Sequence, residues 1–190
     1  MIIFFVRHGE TDLNREERLQ GQIDCPLNET GIAQANHLRD ALTKDGISFD
    51  CIISSPLVRA VQTAAIATGF PEERILKDDR LMEINFGPYE GLPFTELKED
   101  MFAFFHDPEH ISAPEGVESI QALMERTGAF LRALEHVEAQ TVLAVTHGVA
   151  LRAFLGHLQG DGTEAVWGMP IDNCEIFKVE YLHGQWKLLR

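Results

Sequence analysis

Ile2-Ile3-Phe4-Phe5-Val6-Arg7-His8-Gly9-Glu10-Thr11 begins as an unbroken apolar run and ends in charged and polar residues. Five consecutive β-branched or aromatic residues predict a strand buried on both faces. The run is too short for a signal-peptide core or a membrane span. Two later runs are built alike: Cys51 to Ile53 leads into Ser54-Ser55-Pro56-Leu57-Val58-Arg59, and Thr141 to Val145 leads into Thr146-His147-Gly148.

Helical patterns separate these strands. Ile32, Ala35, Leu38 and Leu42 recur at helical spacing behind a cap expected at Thr30. Val117, Ile120, Leu123, Leu131 and Leu134 repeat the pattern later, and Ser55-Pro56 reads as a cap followed by a first-turn proline, starting a helix near Leu57. Glu175 to Leu182, His183-Gly184 and Gln185 to Leu189 read as a hairpin at a sheet edge. The expectation is one three-layer α/β/α domain over residues 1–190, with a mixed, mostly parallel sheet, a C-terminal β-hairpin and a small insertion at 84–116.

A formal net charge of -14 argues against a nucleic-acid partner, since phosphate backbones need a basic stripe. It also means that any phosphate site must be a local cluster of Arg and His acting against the global field. Cys25, Cys51 and Cys174 are scattered, odd in number and lack a CxxC pair, which indicates neither a disulfide framework nor a zinc site and fits a reducing, cytoplasmic setting. Asp12 with His8 and His147 lacks the close helical spacing of metal ligands, and no cofactor or metal is expected.

In open α/β sheets ligands gather at the carboxyl ends of strands. If the three strands are parallel neighbours, Arg7, His8, Arg59 and His147 converge there, a set suited to phosphoryl transfer. Forked guanidinium donors match phosphoryl oxygens, and a neutral imidazole held at one nitrogen can attack phosphorus with the other. Glu83 or Glu10 is the candidate to protonate the leaving oxygen. His37, His106, His110, His136, His157 and His183 read as surface or packing residues.

Arg7-His8-Gly9-Glu10-Thr11 resembles the signature of the histidine phosphatase (phosphoglycerate mutase-like) superfamily. The resemblance continues in order through Leu27-Asn28-Glu29-Thr30-Gly31, Ser54 to Thr63, Leu81 to Gly87 and Thr146-His147-Gly148. It implies His8 as the nucleophile, Arg7, Arg59 and His147 as the phosphoryl grip, and Glu83 as the proton donor. It also places Asn14, Gln20, Gly21 and Gly148 at the phosphate. The chain departs from the common pattern at Gln20, often Thr or Ser, and at Val149, often Asn.

The resemblance further implies that residues 84–116 form a substrate cap. That stretch holds Lys98 as its one basic residue against Glu90, Glu96, Glu99, Asp100, Asp107, Glu109 and Glu115. Mutases of the family carry further cations there, so water is the favoured acceptor and a phosphatase acting on a small phosphorylated metabolite the favoured activity. Phe86, Tyr89, Leu92, Phe94, Met101, Phe102, Phe104 and Phe105 could form an apolar lid, half of them packing the cap itself, suggesting an apolar or weakly polar leaving group. A phosphoglycerate mutase-type transferase, a cobamide-pathway (alpha-ribazole) phosphatase, a phosphoserine or sugar-phosphate phosphatase, a phosphate-binding pseudoenzyme and a metal-dependent hydrolase remain alternatives.

Overall fold

A computed structural model describes residues 1–107, 110–160, 166–167 and 170–189. Its strands are β1 (Ile2–Arg7), β2 (Cys51–Ser54), β3 (Leu76–Lys77), β4 (Thr141–Thr146), β5 (Ile176–Leu182) and β6 (Gln185–Leu189). Its helices are α1 (Asp12–Arg15), α2 (Glu29–Lys44), α3 (Val58–Thr68), α4 (Glu99–His106), α5 (Ile120–Leu134) and α6 (Gly148–Gln159). The strands form one sheet in the order β3-β2-β4-β1-β5-β6. The first four run parallel, and β5 and β6 are antiparallel. The hairpin turns at His183 and Gly184, both at positive φ (51° and 78°), the geometry that matches the right-handed twist of paired strands.

The pleat divides each apolar run between two cores. Ile3 and Phe5 of β1 with Val142 and Ala144 of β4 point to one face, where Phe130, Leu131 and Leu134 of α5 and Leu151, Phe154 and Leu155 of α6 cover them. Phe4 and Val6 with Leu143 and Val145 point to the other, against Leu38 and Leu42 of α2 and Ala60, Val61 and Ala64 of α3. Helices therefore cover both faces of the sheet, as the alternation of strands and helices predicts. No helix of the described residues is long and apolar enough to cross a membrane.

Three local expectations are corrected. The cap of α2 is Asn28, whose side chain accepts from the amide of Gly31; Thr30 lies inside the first turn. Ile32 of the same helix is 44% exposed, so the buried stripe starts at Gly31 and Ala35. Ser55 does not cap α3, whose N-cap is Leu57 without a side-chain bond. The Ser55 hydroxyl lies 2.7 Å from Nε2 of His147 instead.

A third apolar cluster lies at the carboxyl end of the sheet. Ile84, Phe86, Tyr89 and Leu97 pack with Met101 and Phe104 of α4 onto Ile120 and Leu123 of α5 and Ala150 and Ala153 of α6. Most of the predicted lid aromatics are thus committed to packing, whereas Phe94 and Phe102 are 47% and 43% exposed. Glu109 of the acidic stretch lies outside the described residues.

Candidate active site

Strand register sets the site. Arg7 pairs with Thr146 at the ends of β1 and β4, and Ser54 with Val145 across β2 and β4. His8 and His147 follow these ends directly, and their ring centroids are 5.0 Å apart. Arg59 arrives from the first turn of α3 and is fully buried. Its Nε–H lies 3.3 Å from Nε2 of His8 and 3.2 Å from Nδ1 of His147, while its two terminal nitrogens donate to the carbonyls of Ile23 and Gly21 at 2.7 Å each. The guanidinium thus ties both histidines to the loop that carries Gln20 and Gly21.

Nδ1 of His8 sits 2.7 Å from its neighbour's carbonyl, Gly9 O, which can only accept. The proton is therefore on Nδ1, and Nε2 presents its lone pair beside Arg59. Burial first, then the charges of Arg59 and Arg7, hold the His8 imidazole well below its ordinary value, and burial with Arg59 does the same for His147. Both rings are neutral at neutral pH. In the unfolded chain they take up protons below about pH 6.5, so there the unfolded state binds more protons than the native one and stability falls with pH. Unfolding free energies from urea titrations between pH 7.5 and 5 should decline by as much as roughly 1.4 kcal/mol per pH unit for each histidine. A flat profile in this window would show that one or both rings charge freely in the folded protein.

Arg7 donates to the carbonyl of Ile171, and its Nε–H is buried without an acceptor. Glu83, 8% exposed, accepts from the amides of Ile84, Val149 and Ala150 at 3.0 to 3.1 Å, which seats its carboxylate on the first turn of α6. Gly148 opens that helix; a side chain there would approach Arg7 Nε at 3.5 Å and Glu83 Oε2 at 3.8 Å. Glu10 also reaches the pocket, with its carboxylate held by Nδ2 of Asn28 at 2.8 Å.

Asn14 closes a capping box with Thr11 on α1, and Gln20 accepts from Sγ of Cys25 while its own Nε2 is buried without an acceptor. Gly21 is at φ 49°, and a Cβ there would come within 2.1 Å of Glu90 Oε1. That oxygen cannot yield cheaply, because it accepts from the amides of Gln22 and Phe86. A second tight approach fixes the loop after His8. Side chains on Gly9 or Gly31 would meet Gly31 O at 2.7 Å or Glu10 O at 2.1 Å, so α2 rests backbone to backbone on Gly9 and Glu10.

Arg7, His8, Glu10, Asn14, Gln20, Gly21, Arg59, Glu83 and Gly148 all line one cavity of about 590 Å³, and His147 lies behind it against Arg59. The matching sequence profile, that of the histidine phosphatase superfamily (branch 1), spans residues 3–190. This chain belongs to that superfamily. It is 36% identical over 189 residues to a Yersinia pestis protein named probable phosphoglycerate mutase GpmB, covering 97% of this chain and 86% of that one. Among solved structures it resembles the alpha-ribazole phosphatase of Shigella flexneri (TM-score 0.88, 28% identity, 100% and 95% of the two chains). It also resembles the phosphoserine phosphatase of Entamoeba histolytica, seen with 3-phosphoglyceric acid (TM-score 0.85, 26% identity, 100% and 95%). Histidine phosphatase relatives thus include both a mutase name and phosphatase names.

Several lining residues are not singled out by the sequence: Arg18, Arg152, Trp167 and Asn173, the last donating to the carbonyl of His8 at 2.8 Å. Arg152 follows Gly148 by one helical turn and could have been found once Gly148 was seen to start a helix. His106, read as a surface residue, also faces this cavity, because α4 ends at its mouth. Cys174 packs behind Arg7, and burial pushes its thiol up to about 12, which agrees with an inert small hydrophobe. Among the described residues no group of three His, Cys, Asp or Glu side chains is placed to share a metal ion.

Proposed function

We propose that this histidine phosphatase superfamily member is a phosphomonoester hydrolase working through a phosphohistidine on His8. The observation that carries the reading is the neutral His8 ring, whose lone pair on Nε2 faces Arg59 while Nδ1 is held by Gly9. The phosphoryl group of a small metabolite sits against Arg7 and Arg59, with His147 supporting Arg59 from behind and Asn14, Gln20, Gly21 and Gly148 around it. Nε2 of His8 attacks phosphorus, the bond to the leaving oxygen breaks, and Glu83 supplies that oxygen with its proton. Water then attacks the phosphohistidine, Glu83 takes the water's proton, and inorganic phosphate leaves.

Water is favoured over a second substrate as acceptor because residues 84–116, acting as the substrate cap of a single domain, contain Lys98 alone among Lys and Arg, and Lys98 is exposed outside the cavity. A mutase that retains a bisphosphorylated intermediate needs further cations on that side. The test is phosphate release from a panel of phosphomonoesters in excess chelator, alongside conversion of 3- to 2-phosphoglycerate with added bisphosphoglycerate. Hydrolysis without interconversion supports the phosphatase; interconversion at comparable rate overturns it.

Glu83→Gln keeps the shape but loses the transferable proton, so it should lower kcat by about 10² to 10⁴ for esters with poor leaving groups. The loss should be much smaller for a nitrophenyl phosphate, whose leaving oxygen needs no proton. Equal losses for both substrates would move the acid role to Glu10.

A further inference from the structure

Residues 83–86 belong to neither helix nor strand, so no ladder of hydrogen bonds holds the backbone that carries Glu83. The Glu83 carboxylate rests on the amides of Val149 and Ala150, but those bonds fix its oxygens and not the chain behind them. Gln22 adds one bond, from Nε2 to the carbonyl of Glu83 at 3.1 Å. The backbone is otherwise held mainly from α5.

Arg126 of α5 donates through one terminal nitrogen to the carbonyls of Arg80 at 2.9 Å and Met82 at 2.7 Å. Its Nε and its other terminal nitrogen grip the Glu118 carboxylate as a fork, at 2.7 and 3.0 Å. Glu118, next to the Ser119 cap of α5, completes the bracket. Its carboxylate accepts from the amide of Asn85 at 3.1 Å, and its own amide donates to the carbonyl of Asn85 at 2.8 Å. One ion pair thus holds the chain at residues 80 and 82 before Glu83 and at residue 85 after it. The two side chains are only 19% and 14% exposed, and neither residue lines the cavity.

A buried ion pair contributes little net stability, and apolar residues of like volume would fill such a space as well. A forked pair does fix direction, and a displacement of about 1 Å near a reacting group can cost on the order of 10²-fold in rate. We propose that Arg126 and Glu118 are positioning residues for Glu83, setting where its carboxyl meets the leaving oxygen without touching the substrate themselves. This rests on Glu83 being the proton donor of the proposed function.

The test compares phenyl phosphate with 4-nitrophenyl phosphate, esters of similar shape whose leaving oxygens differ greatly in their need for a proton. The quantity read is kcat/KM, which ends at transfer to His8 and excludes the later attack by water. Arg126→Lys keeps the charge, yet one ammonium cannot serve two carbonyls and two carboxylate oxygens in separate directions. It should lower kcat/KM for phenyl phosphate by at least about tenfold and for the nitrophenyl ester by less than about threefold. In a Glu83→Gln background the same substitution should change phenyl phosphate hydrolysis by no more than about twofold, since a donor already lost cannot be misplaced. If Arg126→Lys does not fold, Glu118→Gln, which keeps an oxygen for Arg126 and removes the acceptor of Asn85, is read in the same way.

Equal losses on the two esters, no loss on either, or a further loss beyond about twofold in the Glu83→Gln background overturns the assignment and leaves Glu83 as the donor. If Glu83→Gln by itself slows both esters alike, the donor role of Glu83 is what fails, and this inference falls with it.

Discussion

His8→Ala should lower turnover of any phosphomonoester by on the order of 10⁵-fold or more, since the proposed covalent route loses its nucleophile. The fold should survive. The His8 ring bonds to the carbonyl of the next residue and lends one acceptor to Arg59, which keeps Nδ1 of His147 and two loop carbonyls. Unfolding free energy should therefore change by no more than about 2 kcal/mol near pH 7. Below about pH 6.5 the variant should lose less stability than the parent, having one fewer ring that must be buried uncharged. Protein incubated with substrate and quenched in alkaline denaturant should carry phosphate that is stable to base and released by acid in the parent, and none in His8→Ala. Comparable labelling of both would place the phosphoryl group on another residue.

Arg59→Ala is the second large effect. On the proposed phosphohistidine route a buried guanidinium aimed at both histidines supplies charge where it develops in the transition state, and its loss should reduce kcat/KM by about 10³-fold, roughly 4 kcal/mol. Stability follows a different balance. The carbonyls of Gly21 and Ile23 lose their donor, but a cation that burial disfavours is removed as well. The two terms oppose each other, so the loss of stability should be well below the loss of transition-state binding. Inorganic phosphate should raise the melting temperature of the parent and leave the variant almost unmoved. Arg59→Lys should recover little, because one ammonium cannot address two imidazoles and two carbonyls in separate directions. Full phosphate stabilisation of Arg59→Ala would show that Arg7 alone holds the anion.

The parallel centre of the sheet was legible because β1, β2 and β4 are each a short apolar run ending in chemistry, and a two-faced buried strand needs such a run. Arg7, His8, Arg59 and His147 were legible for the same reason: strand ends adjoin in space once the runs are placed side by side. Strand β3 was not, since two residues with exposed side chains leave no hydrophobic pattern. Ser55 misled because a serine before a proline has two uses, and only the fold shows that its hydroxyl serves His147. Trp167 and Arg152 gave no signal, one being an isolated aromatic and the other an ordinary helix arginine until α6 is seen to start at the cavity. Glu90 looked like another acid of the cap, yet its carboxylate joins two loops.

That junction has a practical reach. Glu90 binds the amides of Gln22 and Phe86, the amide of Leu19 donates to the carbonyl of Leu92, the amide of Gly91 donates to the carbonyl of Leu19, and Arg18 donates to the carbonyl of Gly91. Residues 17–23 and 84–94 therefore behave as one module of two joined loops, although the chain separates them by the whole of α2 and α3. Anyone wishing to transplant a new selectivity from a cousin enzyme should move both pieces together. A graft of the later piece alone would leave the earlier one unmoored, and Arg59, which leans on Gly21 and Ile23, would drift with it.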